Sequence, residues 1–228
     1  MEIAFSGGIR YNGPMKNVLF DLDGTLVHTL PDLTRALNLT RGEYGLAPIT
    51  EQEVQFCIGN GVRNLVERAI PELPDRLDAL FARQLFHYTE HCLDASVPYP
   101  GVLPLLRRLR DAGWKTAVVT NKAAAVTRRL LDGLGVSPLL DAIVGGGETA
   151  ALKPDPAPIL LAAQRMGVTL DRSDWIVGDH YTDLRAARLC GIQGCFCAYG
   201  YGQTRGEPAV RTIHAIDELS TILFEGAA

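Results

Sequence analysis

Short apolar runs recur along this chain, and each ends at polar or glycine residues. Runs of this length between turn residues are typical of buried strands, and the longer amphipathic patterns between them are typical of helices. Strands are predicted at 17–20, 116–119, 142–144, 175–177 and 194–198, and helices at 102–112, 122–134, 156–166 and 182–190. This alternation predicts an α/β fold, a Rossmann-like doubly wound parallel sheet with helices on both faces.

One long stretch interrupts the alternation. Residues 31–97 carry helical patterns only, separated by turns that contain glycine or proline. We therefore expect a helical cap domain at 31–97, inserted into a core domain made of residues 15–30 and 98–228. Residues 1–14 follow neither pattern, and we expect a disordered leader there.

Composition narrows the possible partners. The chain is 47% apolar and 21% charged, as is usual for soluble globular proteins. A net charge of -4 and scattered basic residues argue against nucleic acid or a membrane surface as a partner. The five cysteines show no CxxC spacing, which fits a reducing compartment, and no apolar segment resembles a secretory signal. We expect a cytoplasmic protein, and the sequence leaves monomer and homodimer both open.

Two acidic segments follow predicted strands. Asp21 and Asp23 stand two residues apart before Gly24, and Asp179 and Asp183 follow a later strand. Each segment alone could be a plain turn or a helix cap. Because parallel strands end at the same edge of a sheet, we expect these carboxylates to converge, and they would repel one another unless a cation lies between them. Carboxylate oxygens suit Mg²⁺.

Two further signals are weaker. Thr120 and Asn121 follow the strand at 116–119, and Lys153 lies beside prolines in a predicted loop. Lys153 is one of only four lysines, against eighteen arginines. A hydroxyl at a strand end and a lysine in a loop are each common, so neither indicates chemistry by itself.

In their order along the chain, these segments resemble the signature of the haloacid dehalogenase superfamily of phosphohydrolases: DxDGT, a strand-ending Ser or Thr, a distant Lys, and GDxxxD. The resemblance covers about residues 16–223. It implies a Mg²⁺-dependent phosphatase that acts through an aspartyl-phosphate intermediate. Asp21 would be the nucleophile, and Asp23 would be the general acid and then the general base.

The same resemblance implies the remaining roles. Thr120 and Lys153 would hold the phosphate oxygens. The metal ligands would be the side chains or carbonyl groups of Asp21, Asp23, Asp179 and Asp183. The resemblance also implies that the substrate contacts Gly24, Thr25 and Asn121.

The substrate expectation rests on the predicted cap. Residues 57–65 resemble a loop and helix start of phosphoglycolate phosphatases, and short runs at 99–102, 120–122, 145–147 and 199–202 resemble the same enzymes. We therefore expect a small phosphorylated metabolite, with 2-phosphoglycolate first, hydrolysed to glycolate and phosphate. Arg63, or the amides around 59–61, could bind its carboxylate.

Other activities of the superfamily fit these residues to different degrees. Asp23 argues against a haloacid dehalogenase proper, and the absence of lysine from 31–97 argues against a phosphonoacetaldehyde hydrolase. A sugar or amino-sugar phosphate phosphatase and a sugar phosphomutase remain open. A catalytically silent regulatory or binding module would be indicated by loss of the acidic residues or Lys153, and all are present. His180 stands where the family usually has Ser, and it could be a plain loop residue or could alter metal affinity or pH response.

Overall fold

The computed structural model describes residues 16–224, so the predicted leader at 1–14 lies outside the described residues. The strands in chain order are β1 (Asn17–Phe20), β2 (Val27–His28), β3 (Val97–Pro98), β4 (Lys115–Ala123), β5 (Ala142–Gly146), β6 (Trp175–Gly178), β7 (Gln193–Cys197) and β8 (Arg211–Ile213). The α-helices are α1 (Leu30–Glu43), α2 (Glu51–Gln55), α3 (Val62–Ala69), α4 (Leu77–His91), α5 (Val102–Asp111), α6 (Ala124–Gly133), α7 (Ala157–Met166), α8 (Tyr181–Cys190) and α9 (Glu218–Phe224).

The main sheet has six strands in the order β5-β4-β1-β6-β7-β8, and every neighbouring pair is parallel. From the central strand β1 the chain first builds β4 and β5 on one side and then β6, β7 and β8 on the other. Strand order therefore reverses beside β1, and ligands bind at the carboxyl ends of strands at such a point. The predicted α/β fold is confirmed.

Alternate side chains of the strands face opposite layers of helices. Val18 and Phe20 join a fully buried cluster with residues of α5, α6 and α9. Leu19, between them, faces a second cluster built with α7 and α8. Helices therefore cover both faces of the sheet, which explains why its strands read as continuous apolar runs.

Three features differ from the sequence prediction. The helix predicted to begin at 122 begins at Ala124, because β4 continues past an irregularity and pairs Ala123 with Gly146 of β5. The edge strand β8 was not predicted, since two of its three residues are exposed and leave no apolar run. The final helix, α9, was also not predicted.

Between β2 and β3 the described chain contains helices only, and we call residues 30–91 the helical insertion. Its own buried cluster includes Leu37, Val66 and Leu80 from three different helices. The short strands β2 and β3 pair antiparallel where the chain leaves and re-enters the core, a pairing that the sequence did not predict.

Asp32 joins the two chain segments that connect the insertion to the core. Its buried carboxylate accepts hydrogen bonds from Ala95 N at 3.0 Å and from Ser96 N and Oγ at 2.8 and 2.7 Å. Asp32 lies in the first turn of α1, whereas Ala95 and Ser96 precede β3. One side chain therefore fixes the start of the insertion to its end.

Within residues 16–224, no helix combines the length and the apolar character that crossing a membrane requires.

We expect Asp32→Ala to lower the free energy of unfolding by roughly 2–4 kcal/mol, because hydrogen bonds to a charged acceptor are lost and buried N–H groups lose their partner. Urea unfolding followed by circular dichroism measures this change. The matched control is Asp75→Ala at an exposed position of the insertion, with a change below about 0.5 kcal/mol. Equal stability of the two variants would contradict the prediction.

Candidate active site

The turn after β1 places two carboxylates at the switch point of the sheet. Asp21 continues the strand, with its N–H donating to Val177 O at 2.9 Å. Gly24 then takes a positive φ of 78°, and a side chain there would collide with the Asp179 carboxylate. Two reasons therefore favour glycine at position 24: its backbone conformation and the close approach of the two acidic loops.

Lys153 reaches this turn from the loop between β5 and α7. Its Nζ lies 3.0 Å from Asp21 Oδ1 and 2.7 Å from Asp183 Oδ1, and it also donates to the carbonyl of Val119. Burial would lower the pKa of Lys153, but the two carboxylates outweigh burial and raise that pKa above its ordinary value. The buried lysine is therefore charged.

Three buried carboxylates converge beside Lys153. Asp21, Asp179 and Asp183 each offer an oxygen atom, and these atoms lie within 4.8 Å of one another. Burial raises the pKa of Asp21 to about 6 against the pull of Lys153. Burial also raises the pKa of Asp179 well above its usual range, and the charges of Asp21 and Asp183 add to that rise. The three carboxylates together carry more negative charge than the single ammonium of Lys153 can balance.

The donor set fits a hard divalent cation. Apart from the ion pairs to Lys153, Asp21 Oδ1 and Asp183 Oδ1 have no hydrogen-bond partner among the described residues. Buried carboxylate oxygens without partners are the ligands that such a cation requires. Asp179 is oriented by the N–H groups of Tyr201 and Gly202, which donate to its Oδ2 at 2.7 and 3.0 Å.

Thr25 and Thr120 lie where the sequence placed them, close to this acidic group. Thr25 is fully buried, and its Oγ1 is 3.5 Å from Asp179 Oδ1, so it supports the acidic loop. Thr120 lies in β4, and its side chain lines the same cavity as Asp21. The predicted contacts of both residues with substrate stay predictions.

Asp23 is held by two residues that the sequence did not single out. Lys122 Nζ lies 2.8 Å from Asp23 Oδ1, and Thr29 Oγ1 donates to the same oxygen at 2.6 Å. Lys122 lies in β4, which extends through Ala123, and it lines the same cavity as Thr120. A strand predicted to extend through residue 123 would have placed Lys122 beside the site. No local sequence pattern pointed to Thr29.

Asn121 bridges the core and the insertion. Its Nδ2 donates to Gly59 O at 3.1 Å and to Lys153 O at 2.9 Å, while its Oδ1 accepts from Lys153 N at 2.8 Å. Both amide hydrogens are thereby used within the protein. Asn121 holds the Lys153 loop and the insertion loop together, and its predicted contact with substrate stays a prediction.

His180 is a buried residue packed between these parts. Its ring lies against Gly59, where an added Cβ would come within 2.7 Å, and its Nδ1 is 3.0 Å from Thr182 Oγ1. Its backbone N–H donates to Asp183 Oδ2 at 3.1 Å at the start of α8. Burial lowers the pKa of His180 to about 4, so the imidazole is neutral at pH 7.

A cavity that opens to solvent extends from the acidic group into the insertion. The core contributes charged and polar residues, and the insertion contributes apolar ones together with Gln84 and Tyr88. Arg63 is not among the lining residues: it is exposed on α3, with its Nη1 2.7 Å from Asp78 Oδ1. This position gives no support to the substrate contact predicted for Arg63, which stays a prediction.

Comparison with known proteins agrees with this geometry. The family model of haloacid dehalogenase-like hydrolases matches residues 18–197. The chain is 42% identical over 198 residues to the phosphoglycolate phosphatase of Rhodospirillum rubrum, covering 82% of this chain and 81% of that one. It is 36% identical over 189 residues to the phosphoglycolate phosphatase of Caulobacter vibrioides, covering 81% and 79%.

A solved structure extends the likeness to the backbone. A crystal structure titled as a predicted phosphoglycolate phosphatase from Haemophilus somnus superposes with a TM-score of 0.85 at 29% identity, covering 91% of this chain and 97% of that one. The chain belongs to the haloacid dehalogenase-like hydrolases. Within that family it is a phosphatase, a phosphoric monoester hydrolase, and it is similar to phosphoglycolate phosphatases.

The acidic group predicts how metal and pH together affect stability. Since the folded-state pKa of Asp21 rises from 3.8 to about 6, the metal-free folded protein loses stability as pH rises from about 4 to about 6. A divalent cation offsets this loss and competes with protons for the same oxygens. We expect an excess of Mg²⁺ to raise the melting temperature more at pH 7.5 than at pH 5.

Differential scanning fluorimetry measures the shift, with NaCl of equal ionic strength as the control. Asp179→Asn is expected to reduce the shift at pH 7.5. An equal shift at both pH values would contradict the prediction.

Proposed function

We propose that this protein is a Mg²⁺-dependent phosphatase that hydrolyses 2-phosphoglycolate to glycolate and phosphate through an aspartyl-phosphate intermediate. The observation that carries this proposal is the Lys153 ammonium beside Asp21 and Asp183, within a group of three buried carboxylates. An anionic phosphate can bind beside these carboxylates only if cations neutralise the negative charge. Lys153 is one such cation, and the carboxylates could hold a metal ion as a second. The relatives named phosphoglycolate phosphatase support the choice of substrate.

In the first half-reaction, a carboxylate oxygen of Asp21 attacks phosphorus, and the bond from phosphorus to the leaving oxygen breaks. Lys153 stabilises the negative charge that gathers between Asp21 and the phosphate, and Thr120 donates to a phosphate oxygen. Asp23 gives its proton to the leaving oxygen, so glycolate departs as an alcohol. The product left on the protein is a mixed anhydride of Asp21.

In the second half-reaction, Asp23 accepts a proton from water as the water oxygen attacks phosphorus. The bond between phosphorus and Asp21 breaks, which restores the carboxylate and releases inorganic phosphate. Lys122 and Thr29 hold Asp23 in place, at 2.8 and 2.6 Å from its Oδ1. Asp23 thus serves both steps from one position.

The ligands proposed for Mg²⁺ are Asp21, Asp179 and the Asp23 carbonyl, with Asp183 in support. When bound, Mg²⁺ would neutralise charge on the phosphate and on Asp21. Asp179 is already oriented for this role by the amides of Tyr201 and Gly202.

We further propose that residues 31–97 form a cap that shields the reaction from water. Its contacts with the core lie at one side of the site: Asn121 donates to Gly59 O, His180 packs on Gly59, and Asn60 Nδ2 donates to the Tyr181 hydroxyl at 3.0 Å. A cap held at this position would limit the size of the leaving group.

Asp21→Asn is expected to reduce phosphate release to the detection limit, because an amide is a far weaker nucleophile than a carboxylate. Asp23→Asn is expected to lower kcat by about 10²- to 10⁴-fold, the usual loss for a general acid or base. Phosphate release measures both, and circular dichroism verifies that each variant is folded. A folded Asp21→Asn variant with full turnover would refute the mechanism.

The substrate is tested by a phosphate-release screen of small phosphorylated metabolites with Mg²⁺ present. We expect 2-phosphoglycolate to have the highest kcat/KM, and chelator followed by dialysis to abolish turnover until Mg²⁺ is restored. A tenfold preference for a hexose or amino-sugar phosphate would leave the phosphatase chemistry intact and overturn the substrate. Conversion of one sugar phosphate into its isomer would indicate a phosphomutase instead.

A further inference from the structure

Helix α4 presents two polar side chains to the cavity, and each has one polar group without a hydrogen-bond partner among the described residues. Gln84 is completely buried and Tyr88 is 4% exposed, and both line the cavity. Within the described part of the chain, neither Gln84 Nε2 nor the Tyr88 hydroxyl has a hydrogen-bond partner. A buried donor without an acceptor is destabilising, so two of them on one face of one helix indicate a missing ligand.

The surroundings of Gln84 orient its free donors. Its Oε1 accepts from Thr40 Oγ1 at 3.3 Å, on the neighbouring helix α1. The amide nitrogen of Gln84 is therefore free to donate to a molecule bound in the cavity. Tyr88 lies one turn further along α4, at spacing i+4, so both residues share one side of the helix.

Lys122 faces Tyr88 from the core side of the cavity. Its Nζ lies 4.1 Å from the centre of the Tyr88 ring, and its side chain is 5% exposed. Among the described residues that line the cavity, Lys122 carries the only ammonium or guanidinium group. An ammonium has three N–H donors, and the Asp23 carboxylate can accept two, at 2.8 and 3.1 Å. At least one donor therefore remains.

Lys122 contacts Asp23, the proposed donor to the leaving oxygen, and Gln84 and Tyr88 line the same cavity. In 2-phosphoglycolate the carboxylate carbon is two bonds from that oxygen, so a substrate placed with its leaving oxygen at Asp23 brings its carboxylate near Lys122. We propose that Lys122, Gln84 and Tyr88 form the subsite that binds the carboxylate of the leaving group and selects 2-phosphoglycolate-like substrates. This inference rests on the proposed function and assigns its specificity to residues other than Arg63.

The competing interpretation is that Lys122 only orients Asp23 and that Gln84 and Tyr88 have no ligand. The two interpretations differ in which substrate is affected. A residue that orients Asp23 acts on every phosphate monoester alike, whereas a carboxylate subsite acts only on substrates that carry the carboxylate.

The test compares 2-phosphoglycolate with ethyl phosphate, a substrate of the same chain length without the carboxylate. The readout is the ratio of the two kcat/KM values. Tyr88→Phe and Gln84→Met are each expected to lower the ratio by about tenfold, as for a hydrogen bond to a charged group, and Lys122→Met by roughly 100-fold. The matched control is Lys115→Met at the opposite end of β4, where Lys115 pairs with Asp141, and its ratio is expected to stay unchanged.

Two further measurements separate the inference from the proposed function. The melting temperature of Tyr88→Phe should equal or exceed that of the wild type, because its hydroxyl has no partner to lose. Calorimetric titration with glycolate needs no turnover: the wild type should bind it, and Lys122→Met should bind it at least tenfold more weakly.

Equal losses on both phosphate substrates, with unchanged glycolate affinity, would overturn the subsite. Absence of phosphatase activity with intact, Lys122-dependent glycolate binding would overturn the proposed function and leave the subsite in place.

Discussion

The ion pairs of Lys153 are the interaction on which the site depends. Two carboxylates, one at the end of β1 and one in the first turn of α8, are buried, and a buried charge needs a partner. The Lys153 ammonium lies between Asp21 and Asp183 and forms an ion pair with each. The single positive charge of Lys153 cannot also balance the carboxylate of Asp179, which lies in the same group. The same arrangement that lets Asp21 remain a carboxylate therefore leaves a negative site suited to a divalent cation.

The position of Lys153 is coupled to the helical insertion through one side chain. Asn121 makes hydrogen bonds to both backbone groups of Lys153 and to the Gly59 carbonyl of the insertion. The loop that carries Lys153 and the insertion loop at Gly59 thus share a single support in β4. If the insertion acts as the proposed cap, the same contacts would both place the charge of Lys153 and shield the reaction from water.

The central strands and the acidic residues of the site could be predicted from the sequence, because local sequence patterns mark where buried strands end. An apolar run followed by Asp21, Asp23 and a glycine identifies both a buried strand and an acidic turn. Other features depend on contacts between distant segments. Lys122 was placed in a helix because nothing local shows that β4 continues to pair with β5. The expectation for Arg63 rested on the resemblance of residues 57–65 to phosphoglycolate phosphatases and on the charge of its side chain. The free donors of Gln84 and Tyr88, in contrast, are visible only once the cavity is formed.

The hydrogen bonds of Asp32 would also restrict any movement of the insertion. Two separate connections would let the helices twist about each one independently. Because Asp32 joins the first turn of α1 to Ala95 and Ser96, and β2 pairs with β3 just below, the two connections form one short ribbon. Bending of that ribbon would then be the motion that remains. If the insertion opens and closes over the site as the proposed cap, it would follow a single path and would return Gln84 and Tyr88 to the same place each time.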